Sequence, residues 1–258
     1  MGSALSTFVG AIGSVKELMH VMAKMCDVFN KPPDHDSMGN GPKVGHNRDR
    51  LITEAQQQMG MDAVRDYNFI FCGPTKVGKS TLINAIRGVK PNDAGAAGVG
   101  ISEVTQDVRC YQYLGLPRVK LYDAPSAGTR SHPAATYFMD KKLYAFDCIF
   151  LMYDGSFLDS CQQILEHAHA WAKPVAFLRS KADRLLDDVM YNTGVDDEQV
   201  AKQQLHAQIQ NAFQQHVVAY HGPHHLFLIS ARQLRLAGFD EVAFFEYIRR
   251  AAASRQSS

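Results

Sequence analysis

Apolar and polar positions follow two rhythms along this chain. Up to about residue 65 the period is helical; from Tyr67 onward, short continuous apolar runs alternate with helical stretches. In the first part, Phe8, Ile12, Val15, Met19, Met22, Cys26 and Phe29 recur at spacings of four and three, one stripe on one helix face. Asn30-Lys31-Pro32-Pro33 stops that helix, because proline cannot continue it. Residues 32–47, rich in Pro, Gly, Asp and His, read as a flexible linker. A second helix over 48–65 carries Leu51, Ile52, Ala55, Met59, Ala63 and Val64 and leads into the larger part. There the runs predict strands at 67–72, 106–112, 118–122, 147–153, 174–179 and 225–229, and helices at 79–87, 133–144, 157–171, 196–218 and 239–251. This alternation predicts a three-layer α/β domain over 67–252, followed by a disordered tail at 253–258. Its six-stranded sheet is expected to be mixed, with the second strand antiparallel.

Composition acts mainly by exclusion. A chain of 258 residues, 46% hydrophobic and 21% charged, suits one large α/β domain with a smaller appendage. A net charge of +1 gives no electrostatic case for nucleic acid. The cysteines show no C-x-x-C spacing, and Cys72, Cys110 and Cys148 read as small core residues of a reducing compartment. The histidines 216, 221, 224 and 225 match no metal-site spacing and read as a solvated loop. No apolar run reaches the ~18 residues of a membrane span, and no signal peptide opens the chain. A cytoplasmic protein is expected, or one held on a membrane from that side. Met1-Gly2-Ser3-Ala4-Leu5-Ser6 fits the acylation pattern M-G-x-x-x-[ST], which would place a myristoyl chain on Gly2. One such chain binds membranes only marginally, so a second signal is needed, and the 8–29 stripe is available for it. The stripe's few charges (Lys16, Glu17, Lys24, Asp27) lack the basic bias of a lipid-surface helix, and packing on protein is the plainer reading.

The chemistry centres on Gly73-Pro74-Thr75-Lys76-Val77-Gly78-Lys79-Ser80-Thr81, which reads G-x-x-x-x-G-K-S between a buried strand and a helix. Successive N–H groups of such a loop turn inward around a phosphate, and the helix N-terminus adds partial positive charge. Lys79 would reach the β- and γ-phosphates, and the Ser80 hydroxyl would bind Mg²⁺. Asp123, closing the 118–122 strand, suits the Mg²⁺ site through a water.

Three further stretches choose the base and the switch. Ser180-Lys181-Ala182-Asp183 follows a buried strand and resembles the [N/T/S]-K-x-D guanine motif. Guanine presents N1–H and the N2 amine as adjacent donors, and one carboxylate accepts both. The stem of Lys181 would cover the base. Ser230-Ala231-Arg232 resembles the S-A-K loop that offers a backbone N–H to guanine O6. Residues 92–105, rich in Gly and Ala, suit a mobile switch loop, with Thr105 as candidate Mg²⁺ and γ-phosphate sensor and Ser102 behind it.

Together these residues resemble the immunity-related GTPases, an interferon-inducible, dynamin-like type. Gly95-Ala96-Ala97 with Gly100-Ile101-Ser102-Glu103-Val104-Thr105 resembles that family's switch I; Asp123-Ala124-Pro125-Ser126-Ala127-Gly128-Thr129 resembles its D-L-P-G-I-G-[ST]; Arg179-Ser180-Lys181-Ala182-Asp183 resembles its R-T-K-x-D. The resemblance implies a P-loop GTPase fold (the G domain) that binds GTP or GDP with Mg²⁺ and hydrolyses GTP. It also implies assembly into homodimers or larger forms in the GTP state, at a membrane surface. Ser126 stands where the family has a glycine whose N–H approaches the γ-phosphate, so hydrolysis depends on what that side chain does. No glutamine after Asp123 orients a water, so slow turnover, helped by a partner subunit, is expected. The family's C-terminal helical domain is expected to be missing, making this a short form. Two other readings stand beside this one: a GTP/GDP-binding scaffold or switch with little hydrolysis, motivated by Ser126, and an ATP-using P-loop enzyme in which Asp183 does not read the base.

Overall fold

The apolar runs pair into one sheet. The computed structural model describes residues 44–98, 107–155, 157–220, 224–234 and 238–254. The strands are β1 (Tyr67–Cys72), β2 (Arg109–Gln112), β3 (Val119–Asp123), β4 (Cys148–Tyr153), β5 (Val175–Ser180) and β6 (His225–Ile229), in the order β2-β3-β1-β4-β5-β6. β2 runs antiparallel to β3 and every other pair is parallel, so the sheet is mixed as expected. The helices among the described residues are α1 (Val44–Gln58), α2 (Lys79–Arg87), α3 (Ala134–Asp140), α4 (Asp159–Ala170), α5 (Ala182–Thr193), α6 (Glu198–Val217) and α7 (Glu241–Ser254).

Strand alternation sorts the core into two layers. Ile70, Cys72, Ile149 and Leu151 face α1, α3, α4 and the end of α6, meeting Ala55, Phe138, Ile164 and Phe213. Phe69, Phe71, Phe150 and Met152 face α2 and α7, meeting Leu82, Ile83, Phe244 and Ile248. Phe69 and Phe150 stack across β1 and β4 with ring centroids 4.8 Å apart. β4 is buried along its whole length, which is why its sequence is a continuous apolar run and not an alternating one. Residues 45–220 and 224–258 form one compact unit, and the other, residues 1–44 and 221–223, lies outside the described residues apart from Val44. The predicted 8–29 helix and Gly2 therefore fall outside them too.

Several elements differ from the sequence expectation, each for a local reason. The helix expected over 48–65 ends at Gln58, because Gly60 turns the chain out at φ 63°. The helix expected over 133–144 breaks after Asp140. Lys142 adopts φ 52°, and a separate 3-10 turn follows at Leu143–Ala145. α5 is absent from the sequence reading. It packs Ala182, Leu186 and Val189 against Ala201 and Leu205 of α6 and ends at Gly194. Cys110 is exposed, because β2 is an edge strand with little cover; Cys72, Cys148 and Cys161 are buried. Burial pushes the Cys161 thiol up to about 11 and Cys148 up to about 12, which keeps them neutral core groups. His216 and His224 are half-buried against aromatic rings, His216 stacking on Phe157 at 4.8 Å, so they pack and are not fully solvated.

β1 lies between β3 and β4, so the chain leaves it toward opposite sides of the sheet on successive connections. In open α/β sheets such a switch point opens a crevice at the carboxyl ends of the strands. The loop 73–78 follows β1 directly at that edge.

Candidate nucleotide site

The loop's shape is set by close backbone packing. Gly73 has φ 140°, and a Cβ there would stand 2.1 Å from the Met152 carbonyl oxygen of β4. Only a residue without a side chain lets β1 and β4 stay adjacent at this point. Gly73→Ala is expected to cost about 3 kcal/mol of stability, read as a lower midpoint in chemical denaturation. An unchanged midpoint would contradict this packing.

Beyond Gly73 the loop reaches outward at Thr75 and Lys76, both exposed, and returns at buried Val77. α2 then opens at Gly78. Lys79 is 7% exposed and its ammonium is folded into the loop. It donates to the carbonyls of Gly73 (3.1 Å) and Pro74 (3.0 Å) and to the Ser126 hydroxyl (3.3 Å). Thr81 is half-buried on the first turn of α2.

Asp123 ends β3 one strand over, fully buried, and accepts a 2.5 Å hydrogen bond from the Ser80 hydroxyl. Hydroxyl and carboxylate oxygens are the hard donors Mg²⁺ prefers, and Mg²⁺ ordinarily completes its shell with waters and phosphate oxygens. Among the described residues no cluster of three or more His, Cys, Asp or Glu side chains is placed to hold a metal. A hydroxyl and a carboxylate oxygen in contact fit an Mg²⁺ that takes the rest of its shell from water and phosphate.

The segment after Asp123 is tied down at both ends. Ala127 N–H donates to the Gly73 carbonyl (3.0 Å), and the Tyr137 hydroxyl of α3 donates to the Pro125 carbonyl (2.5 Å). Ser126, 8% exposed, is thereby held against Lys79. Thr105 and Ser102 lie outside the described residues. Gly95 and Ala97, at the near end of the expected 92–105 switch loop, are hydrogen-bonded to α2. Asn84 of α2, 2% exposed, pairs with both backbone groups of Ala97 (2.7 and 2.8 Å), and Arg87 donates to the Gly95 carbonyl (2.8 Å).

The candidate base corner is built on β5 and β6, whose register pairs Ser180 with Ile229. That register brings the 180–183 and 230–232 segments side by side. Ser180 donates to the Val77 carbonyl at 2.7 Å, coupling this corner to the phosphate loop. Lys181 sits at φ 58° as the residue before α5, and its ammonium pairs with Asp154. Asp183 lies half-buried on the first turn of α5. Ser230 is fully buried, Ala231 half-buried and Arg232 exposed. Arg179 is buried with its guanidinium 5.3 Å from the Tyr153 ring, and that burial lowers its pKa from the usual value.

Sequence reasoning missed Asn84, Tyr137 and Asp154. Asn84 alone left a signal, a polar residue within the apolar stretch Leu82–Ile86. Tyr137 and Asp154 acquire their roles only when the chain folds.

A family model described as Interferon-inducible GTPase (IIGP) matches residues 52–243, well over half of the chain. The chain belongs to the interferon-inducible GTPase family. Its relatives include Interferon-inducible GTPase 1 of Mus musculus, 31% identical over 116 residues, covering 45% of this chain and 28% of that protein. Interferon-inducible GTPase 5 of Rattus norvegicus is 38% identical over 80 residues, covering 31% of this chain and 17% of that protein. The match thus spans under a third of either family member's length. Among solved structures, a probable GTP-binding protein engB aligns with a TM-score of 0.46 and 17% identity, covering 72% of this chain and 99% of that one. The family resemblance read from the motifs is the family found.

Proposed function

We propose that this interferon-inducible GTPase family member binds GTP and GDP at the β1–α2 loop and hydrolyses GTP slowly to GDP and phosphate. The observation that carries the reading is the arrangement of Lys79, Ser80 and Asp123 around the loop, with Ser180 joining it to the 180–183 corner. Lys79 would exchange its two loop carbonyls for β- and γ-phosphate oxygens, and the loop N–H groups would hold the rest of the phosphate charge. Mg²⁺, held by Ser80 and through water by Asp123, would neutralise charge on the β- and γ-phosphates. Thr105 is proposed to complete that site. Asp183 would accept the guanine N1–H and N2 amine, Lys181 would cover the base, and the 230–232 turn would donate to O6.

Phosphoryl transfer to water is mostly positioning, and a second subunit would supply what this chain lacks for orienting the water. Self-assembly in the GTP state, with membrane contact through an acylated Gly2 and the 8–29 helix, belongs to the same proposal. No helix among the described residues is long and apolar enough to cross a membrane, so contact of that kind would be peripheral. Single-turnover hydrolysis measured across protein concentrations tests the assembly claim: the rate constant should rise with concentration, and a constant rate would overturn it.

One observation favours the second reading, a nucleotide-binding switch with little hydrolysis. The Ser126 hydroxyl accepts from the Lys79 ammonium at 3.3 Å, a contact that a glycine at this position would not make. Ser126→Gly is expected to raise the single-turnover rate roughly tenfold, the equivalent of one hydrogen bond. Equal rates in both proteins would remove Ser126 as the brake.

A further inference from the structure

Two consecutive carboxylates, Asp240 just before α7 and Glu241 as its first residue, close the loop after β6. Asp240 accepts from the Leu228 N–H (2.8 Å) and meets His206 Nε2 of α6 at 3.1 Å, while its own N–H donates to the Leu228 carbonyl (3.0 Å). Glu241 is buried, 1% exposed. One of its oxygens accepts from the Ser230 N–H (3.2 Å) and the other from the Phe239 N–H (2.7 Å). Those two N–H groups stand on the two sides of the loop that begins at the base corner. A carboxylate is costly to bury, and an acid serving only the α7 helix end would do so from an exposed position. This one faces inward and gives both oxygens to backbone outside its helix. Ser230 is also held from the other direction, since its carbonyl accepts from the Gln233 N–H at 3.1 Å. Its hydroxyl is buried with no hydrogen-bond partner among the described residues, which leaves a polar atom at this corner for a ligand or a neighbouring side chain.

We infer that Glu241 is a positioning residue for base recognition: by fixing the Ser230 N–H it orients the next peptide, so that the Ala231 N–H meets the purine O6. This rests on the guanine reading of the corner. Glu241 makes no contact with the nucleotide and sets how sharply the site distinguishes what stands at the purine 6-position. Asp183, on another helix, governs the 1- and 2-positions independently.

The test compares GDP, 6-thio-GDP, IDP and ADP in equilibrium binding to the full chain and to Glu241→Gln. In 6-thio-GDP sulfur, a poorer acceptor, replaces O6, while N1–H and the N2 amine remain. IDP keeps O6 and lacks only the amine. In Glu241→Gln the amide NH₂ would face a backbone N–H, so one of the two bonds is lost. The wild-type preference for GDP over 6-thio-GDP should fall about tenfold, the worth of one hydrogen bond, while the preference for GDP over IDP stays as it was. Equal weakening of all the nucleotides, or an unchanged GDP to 6-thio-GDP ratio, would overturn the inference. Glu241→Asp, still ionised but one methylene shorter, must move the same ratio in the same direction, which guards against misfolding of the glutamine variant. A wild-type chain that binds ADP as well as GDP would instead overturn the guanine reading itself.

Discussion

Lys79→Ala is expected to weaken GDP and GTP binding by roughly a hundredfold while leaving the fold intact. The ammonium already sits in the loop, 3.0 Å and 3.1 Å from two carbonyls, so little reorganisation separates it from a bound phosphate. Hydrogen bonds to charged groups contribute about 1.5–3 kcal/mol each, and the lysine would make two, one to each of two phosphates. Removing it leaves Gly73 and Pro74 carbonyls facing an anion with no cation between them. The loop itself should persist, because its course depends on Gly73 beside Met152 and on Val77 bound by Ser180, not on the ammonium. Isothermal titration with GDP beside a thermal unfolding curve separates the two effects. Full-strength binding by the alanine variant would show that the loop does not hold phosphate through Lys79.

Asp183→Asn should reverse base preference. Guanine's N1–H and N2 amine both need acceptors, and the asparagine amide can offer only one, its NH₂ facing the N2 amine. Xanthine has a carbonyl at the 2-position in place of the amine, which that NH₂ can donate to. GDP binding is expected to fall about a hundredfold and xanthosine diphosphate binding to rise above it. Asp183 stands on the first turn of α5, and the residue before that helix is tied to Asp154 at the end of β4. Competition by the two diphosphates against a fluorescent nucleotide reads the reversal; an unchanged order would place the base elsewhere.

How much of this was legible in the sequence follows from the physics of each element. Strands buried on both faces, such as β4, announce themselves as apolar runs, and all six were placed to within a few residues. β2 was the poorest, expected from 106 and found from Arg109, because an edge strand has no apolar face to mark its start. α5 was missed although Ala182, Leu185, Leu186, Val189 and Met190 fall at helical spacing; Asp183, Asp187 and Asp188 interleave with them, and the face acquires a partner only when α6 folds over it. Gly194, in the left-handed conformation, was the one stop signal that marked its end.

The site divides in the same way. The G-x-x-x-x-G-K-S run and Asp123 stood out in the sequence because the chemistry proposed for them needs fixed residue types at fixed spacing. The direct Ser80–Asp123 hydrogen bond was not foreseen. Ser180 was assigned to guanine from its motif; the bond from its hydroxyl to the Val77 carbonyl, which also links the two motifs, could not be read from the sequence. The clamp of Asn84 on Ala97 and the bonds of Asp240 and Glu241 to β6 and the residue after it could not be read, because each depends on a pairing between segments remote in sequence. Ser126 was singled out as a departure from the family, and the fold gives it a contact, the Lys79 ammonium.

The central claim is that the loop, Asp123 and the 180–183 corner form one guanine-nucleotide site. Equilibrium displacement of a fluorescent GDP analogue by unlabelled GDP and by ADP, with Mg²⁺ present, tests it most directly. GDP should displace the analogue at concentrations at least a hundredfold below those ADP requires, since a site built to bind the guanine edge leaves its carboxylate unpaired against adenine. Displacement by the two nucleotides at equal concentrations, or by neither, would contradict it.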